Sequence, residues 1–190
     1  MQSLSHFIQQ IPDHRRAQGI RHPFHSLIAM IVLSHLNGYF GLREMDRFFR
    51  HNAEFFIKTF NLKHGVPGFT ILRTFCLQIN FEDVNEAFCK WASQYVEEKS
   101  WFSIDGKGIK STASEPFSAQ QNFMSIVSLF GHKTGIVVRS AGFENKQKSE
   151  IHSVQELIAQ LEHKGMVLTL DAIHCQKKPS KPSWIMEMTM

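Results

Sequence analysis

The chain has 190 residues, 43% of them hydrophobic and 20% charged, enough for one domain or two small ones with an ordinary core, since domains run roughly 100–200 residues. Three cysteines without a pairing pattern, and a longest apolar run (Ser26–Leu36) broken by Ser34 and His35, exclude a disulfide scaffold and a membrane span, and composition excludes a disordered tail. The net charge of +4 is +1 up to Glu98 and +3 beyond it, which permits a polyanionic partner without demanding one.

The first half reads as helices. Phe24, Leu27, Ile28, Ile31, Leu33 and Leu36 recur at spacings of three and four, and Asn37-Gly38 ends that helix. Leu42, Met45, Phe48 and Phe49 continue the period, with Arg43, Glu44, Arg47 and Arg50 on the other face. Gly65-Val66-Pro67-Gly68 is a turn, and a short helix follows from about Thr70. Asn80 reads as an N-cap, with Asp83 at the third helical position, of an amphipathic helix through Phe88, Trp91 and Tyr95. Four or five helices with short connections fit this stretch.

The pattern changes near Lys99. Trp101–Asp105 is a short apolar run ending in an acid and then Gly106. Phe123–Phe130 and Ile136–Ser140 flank a turn at Gly131–Gly135 and read as a hairpin. Glu150–His163 returns to helical spacing, and Met166–Leu170 is a second buried-strand run ending at Asp171. The order is strand, hairpin, helix, strand, with at least one crossover. The fold class is therefore α+β.

Asp105 and Asp171 each follow an apolar strand, where α/β proteins present side chains to a ligand crevice. If the strands are neighbours, the carboxylates converge, and two such groups need a cation between them; hard oxygen ligands select Mg²⁺ or Mn²⁺. Capping the next turn is the commoner use of such an aspartate, and spacing alone favours it. His14-Arg15-Arg16 with Arg21-His22 is the densest basic cluster, Arg73 lies on the turn-helix with Thr70 and Thr74, and Lys107 follows Asp105. Each serves as a phosphate contact or as solvated surface, and the turn-helix as the second half of a helix-turn-helix or as an ordinary short helix. His174 and Cys175 have no further ligand at metal spacing, so Cys175 reads as packing. No glycine-rich phosphate loop or nucleophile elbow occurs.

Five stretches taken in order, across roughly residues 4 to 178, resemble the DDE-type insertion-sequence transposases of the H-repeat-associated branch. They are Ile11-Pro12-Asp13-His14-Arg15-Arg16 with Arg21-His22-Pro23, then Gly65-Val66-Pro67 with Phe75, then Ile104-Asp105-Gly106-Lys107. Glu144-Asn145-Lys146 with Ser149-Glu150-Ile151 and then Leu170-Asp171-Ala172-Ile173-His174-Cys175-Gln176 complete the set. The resemblance implies an N-terminal helical transposase-associated domain (1–98) and a ribonuclease H-like catalytic domain (99–178), incomplete here. It implies catalytic, metal-holding aspartates ending the first and fourth strands of that domain, which match Asp105 and Asp171. It implies Mg²⁺ or Mn²⁺ and DNA as substrate, with a homo-oligomer among the arrangements left open, while the three cysteines without a pairing pattern fit a reduced cytoplasm. DNA contacts are expected from Arg15, Arg16, Arg21, Arg73 and Lys107.

The family's third acid, a glutamate on a later helix, has no counterpart here, and Glu187 lies too close to Asp171 to be it. Residues 179–190, with two prolines and three methionines, do not resemble the family's continuation. A lost reading frame near Lys178 and an inactive, truncated transposase are the expectation. The competing readings are a DNA-binding regulator acting through the helical domain without catalysis, and a generic metal-dependent nuclease or phosphatase.

Overall fold

A computed structural model of the chain describes residues 3–18, 20–96, 100–113, 121–147, 149–159 and 166–171. The chain divides into two compact units, Met1–Ala87 and Phe88–Met190. Among the described residues no helix is long and apolar enough to cross a membrane.

The first unit is helical. It contains α1 (Leu4–Gln10), α2 (Phe24–Leu36), α3 (Leu42–His51), α4 (Ala53–Phe60), α5 (Phe69–Gln78) and the start of α6 (Phe81–Ser93). Among the described residues, six helices in place of the expected four or five reflect α1 and α4. Helix α3 shows how its sequence works: Met45 and Phe49 are buried, and the Glu44 carboxylate accepts a hydrogen bond from the Gly41 N–H at 3.0 Å, which satisfies an orphan donor of the first turn. Phe49 and Phe56 meet edge to face at 5.5 Å inside a core with Met30, Met45, Leu62 and Leu72. Burying an aromatic ring of this kind contributes about 1.5–3 kcal/mol. Helix α4 ends at Asn61, which adopts a left-handed φ of 49°, a conformation that asparagine tolerates better than most residues. The Asn80 side chain caps α6 by accepting from the Glu82 N–H at 2.9 Å, as its sequence position implies, whereas Asp83 pairs with His14 instead of closing a capping box.

The second unit is a four-stranded sheet with a helix. It comprises β1 (Trp101–Ile109), β2 (Met124–Gly131), β3 (Ile136–Glu144), α7 (Glu150–Ala159) and β4 (Val167–Leu170), in the spatial order β3-β2-β1-β4. Strands β1, β2 and β3 are antiparallel neighbours, and β4 returns parallel to β1. Strand β1 does not end at Asp105 as the run of apolar residues suggested. It continues through Gly106-Lys107-Gly108 because these residues pair with Val127, Ile126 and Ser125 of β2. Backbone pairing there outweighs the low strand preference of glycine.

Alternation along the strands gives the sheet two unlike faces. Phe102, Ile104, Val127, Leu129 and Val138 turn to one side, where Val154 and Leu157 of α7 and Ala92 of α6 close the core. Ser103 and Asp105 occupy the other face of β1, beside Ser128 of β2. Trp101 and Phe130 remain 54% and 37% exposed.

Candidate functional site

The pairing of β1 with β4 carries Asp105 and Asp171 to corresponding positions. Trp101 lies beside Val167, Phe102 beside Leu168, Ser103 beside Thr169 and Ile104 beside Leu170. Asp105 is the next residue on one strand and Asp171 the next on the other. Neighbouring strands lie about 4.8 Å apart, and corresponding residues of parallel strands share a face. Both aspartates are exposed, so solvent reaches each carboxyl group. Asp105 is also the register partner of Ser128, which in turn faces Ser140, so a polar row crosses the open face of the sheet.

A third carboxylate approaches β1 from the covered side. A Cβ placed on Gly106 would lie 2.5 Å from the Glu150 carboxyl carbon, so the first turn of α7 reaches the backbone next to Asp105 because residue 106 has no side chain. Glu150 does not join the aspartates in one donor set: among the described residues no group of three or more histidine, cysteine or acidic side chains is suited to a metal. Lys107 is exposed on β1, two residues beyond Asp105 and therefore on the same face. His174, Cys175 and the stretch from 179 to 190 lie outside the described residues.

The basic residues of the first unit separate into two kinds. Arg15 is built into the fold. Its guanidinium binds the Asp13 carboxylate at 2.9 and 3.0 Å, donates to the His22 carbonyl at 3.2 Å, and lies 5.3 and 5.5 Å from the ring centres of Phe24 and Phe75. Its hydrogen bond holds the Asp13 carboxyl below its ordinary pKa. Arg16 and Arg21 are exposed and line a cleft of about 750 Å³, together with Thr70 and Thr74 of α5. Arg73 is exposed on α5, as Thr70 and Thr74 are, but is not among the residues that line that cleft. Nothing in the sequence marks the part played by His22. The residue is only 4% exposed, its Nδ1 has no hydrogen-bond partner among the described residues, and burial with positive charge from His64, Arg21 and Arg15 pushes its pKa down. The His22-Pro23 pair was visible only as part of a longer resemblance.

Comparison with known proteins bears on the whole chain. Residues 5–92 match the family model described as DDE_Tnp_1-associated. Over 179 residues, 93% of this chain, it is 22% identical to "H repeat-associated putative transposase YhhI" of Escherichia coli K12, covering 47% of that protein. The resemblance to the H-repeat-associated transposase branch holds. Over the same 93% of the chain it is 23% identical to "H repeat-associated putative transposase YbfD" of strain K12, covering 70% of that protein, and 25% identical to "Putative transposase YncI" of strain O157:H7, covering 45%. The chain thus spans about half the length of YhhI and of this YncI. No solved structure matches.

Proposed function

We propose that this chain takes part in DNA transposition, with Asp105 and Asp171 as the metal-holding acids of a ribonuclease H-like sheet and the helical unit as its DNA-binding part. The observation that carries this reading is the parallel register of β1 and β4, which runs to Ile104 and Leu170, the residues immediately before the exposed Asp105 and Asp171. The strand order β3-β2-β1-β4, with β4 parallel to β1, brings the first and fourth strands together and so supports the ribonuclease H-like reading. Two exposed carboxylates suit Mg²⁺ or Mn²⁺, since Mg²⁺ keeps several waters and takes only one or two protein carboxylates. A bound divalent ion in such a site supplies activation of water and stabilisation of a leaving phosphodiester oxygen. The protein's own share is to fix the two carboxylates on adjacent strands, and to bring Lys107 to the same face, where its ammonium attracts a phosphate. Ser128 and Ser140 keep that face wet and polar.

In the first unit, Arg16 and Arg21 carry the attraction to DNA, and Arg73 adds a separate positive point. Arg15 shapes the loop that presents them. DNA retained by the purified chain should be released steeply with salt, at a slope near ~0.9 per phosphate contact. Replacing Arg16 and Arg21 by alanine should lower both the affinity and that slope. Salt-independent retention, or none, would contradict the DNA-binding part. Assayed with Mg²⁺ or Mn²⁺, the chain should not cut DNA carrying the element's ends, because among the described residues no third acid joins the two carboxylates, which leaves a second ion without a fixed position, and a small misplacement costs ~100-fold in rate. Metal-dependent cleavage that disappears in Asp105→Ala would overturn the inactivity.

A further inference from the structure

The cleft in the first unit has a built lining. One wall is the segment from Ile11 to His22, and the other is the face of α5 on which Thr70, Thr74 and Gln78 recur every four residues. The Arg15 guanidinium, clamped by Asp13 and set against the Phe24 and Phe75 rings, makes a rigid part of its base. Arg16 and Arg21 have no carboxylate partner among the described residues. Ile20 and Ile71 leave 40% and 38% of their surface open beside them. His22 also lines the cleft, and its buried Nδ1 lacks a hydrogen-bond partner among the described residues.

We propose that this cleft receives single-stranded nucleic acid, with a phosphate between Arg16 and Arg21 and an unstacked base against Ile20 and Ile71. The assignment rests on the DNA-binding reading and specifies the form of the nucleic acid. A single strand carries phosphates and unstacked bases together, and a groove that sets Arg16 and Arg21 beside apolar Ile20 and Ile71 meets the charge of the one and covers the apolar face of the other without aromatic stacking. Hydroxyl and amide groups on Thr74, Gln78 and Asn80 offer donors and acceptors to the exposed edge of a base. A duplex presents its base edges only inside its grooves, to a protruding helix or strand. Here Thr70 and Thr74 of α5 look into a recess, the opposite of a protruding recognition helix.

The test is fluorescence anisotropy of the complete chain with a labelled single strand of about 12 nucleotides, and with the duplex of the same sequence. The single strand should bind at least ~10-fold more tightly than the duplex. Arg16→Ala with Arg21→Ala should weaken it by ~10–100-fold and reduce the salt slope by about 1.4, the value for two contacts on a single strand. Thr74→Phe, which fills the recess without changing charge, should weaken binding ~10-fold at an unchanged salt slope. Arg47→Ala, on the exposed side of α3 and outside the cleft, should stay within ~2-fold. All four positions are exposed, so matching urea midpoints will verify that the variants fold. If the chain retains DNA but the cleft variants bind like the parent, or the duplex binds as tightly as the single strand, the cleft assignment falls and the DNA-binding reading stands. If the chain retains no nucleic acid at low salt, both fall.

Discussion

Arg15 and Arg16 are adjacent and chemically identical, yet they do different work. Arg15 has a 17% exposed side chain, an ion pair with Asp13 and two ring contacts, whereas Arg16 points to the cleft. Arg15→Ala should therefore destabilise the protein by about 1–3 kcal/mol in urea unfolding, because it removes charged hydrogen bonds and leaves the His22 carbonyl without its donor. Arg16→Ala should change stability by less than about 0.5 kcal/mol. Acid distinguishes two further groups. The Asp13 carboxyl titrates below its ordinary 3.8 in the folded chain, so its contribution is present above that pH and is lost as pH falls through the lowered value. His22 behaves differently: its folded pKa lies below the ordinary 6.5, so the unfolded chain takes up a proton first and stability declines as pH drops from about 6.5. Urea midpoints measured between pH 7 and about 5 should fall in the parent and fall less in His22→Gln. Equal slopes would show that the folded and unfolded chains protonate His22 alike.

At the scale of elements, the sheet of the second unit depends on α7. Val154 and Leu157 are each 2% exposed against Phe102, Ile104 and Val127. Leu157→Ala should cost about 2–5 kcal/mol in urea unfolding, since it removes buried methyl groups and leaves a cavity. A loss below about 0.5 kcal/mol would show that α7 does not seal that face. The elements that could be read in the sequence were those with a clean period: α2, α3 and α5 by threes and fours, β2 and β4 as apolar runs, and the turn at Gly135, whose φ of 69° suits glycine. Those that escaped lacked one. Helix α1 buries only Phe7 and Ile8 in seven residues, and α4 carries Phe55-Phe56-Ile57, a near-continuous run in which period is invisible. The overrun of β1 was illegible for another reason. Gly106 and Gly108 read locally as a turn, and only the partner strand β2, some twenty residues away, keeps them extended.

At the scale of the molecule, Asp105 and Asp171 were legible as acids after apolar strands, but their convergence was not. Sixty-odd residues and a crossover helix separate them, and the β1–β4 register alone brings them level. The cleft of the first unit was legible only as charge, because the sequence does not show which arginine a carboxylate has already taken. The central claim is that the two aspartates share one divalent cation. The direct measurement is a Mn²⁺ titration of the complete chain, with free Mn²⁺ followed by electron paramagnetic resonance, repeated for Asp105→Asn, Asp171→Asn and the double variant. The parent should hold one ion, each single variant should bind it at least ~10-fold more weakly, and the double variant should lose less than the sum of the two, because both groups serve one site. Binding unchanged in either single variant, or additive losses in the double, would contradict a shared site.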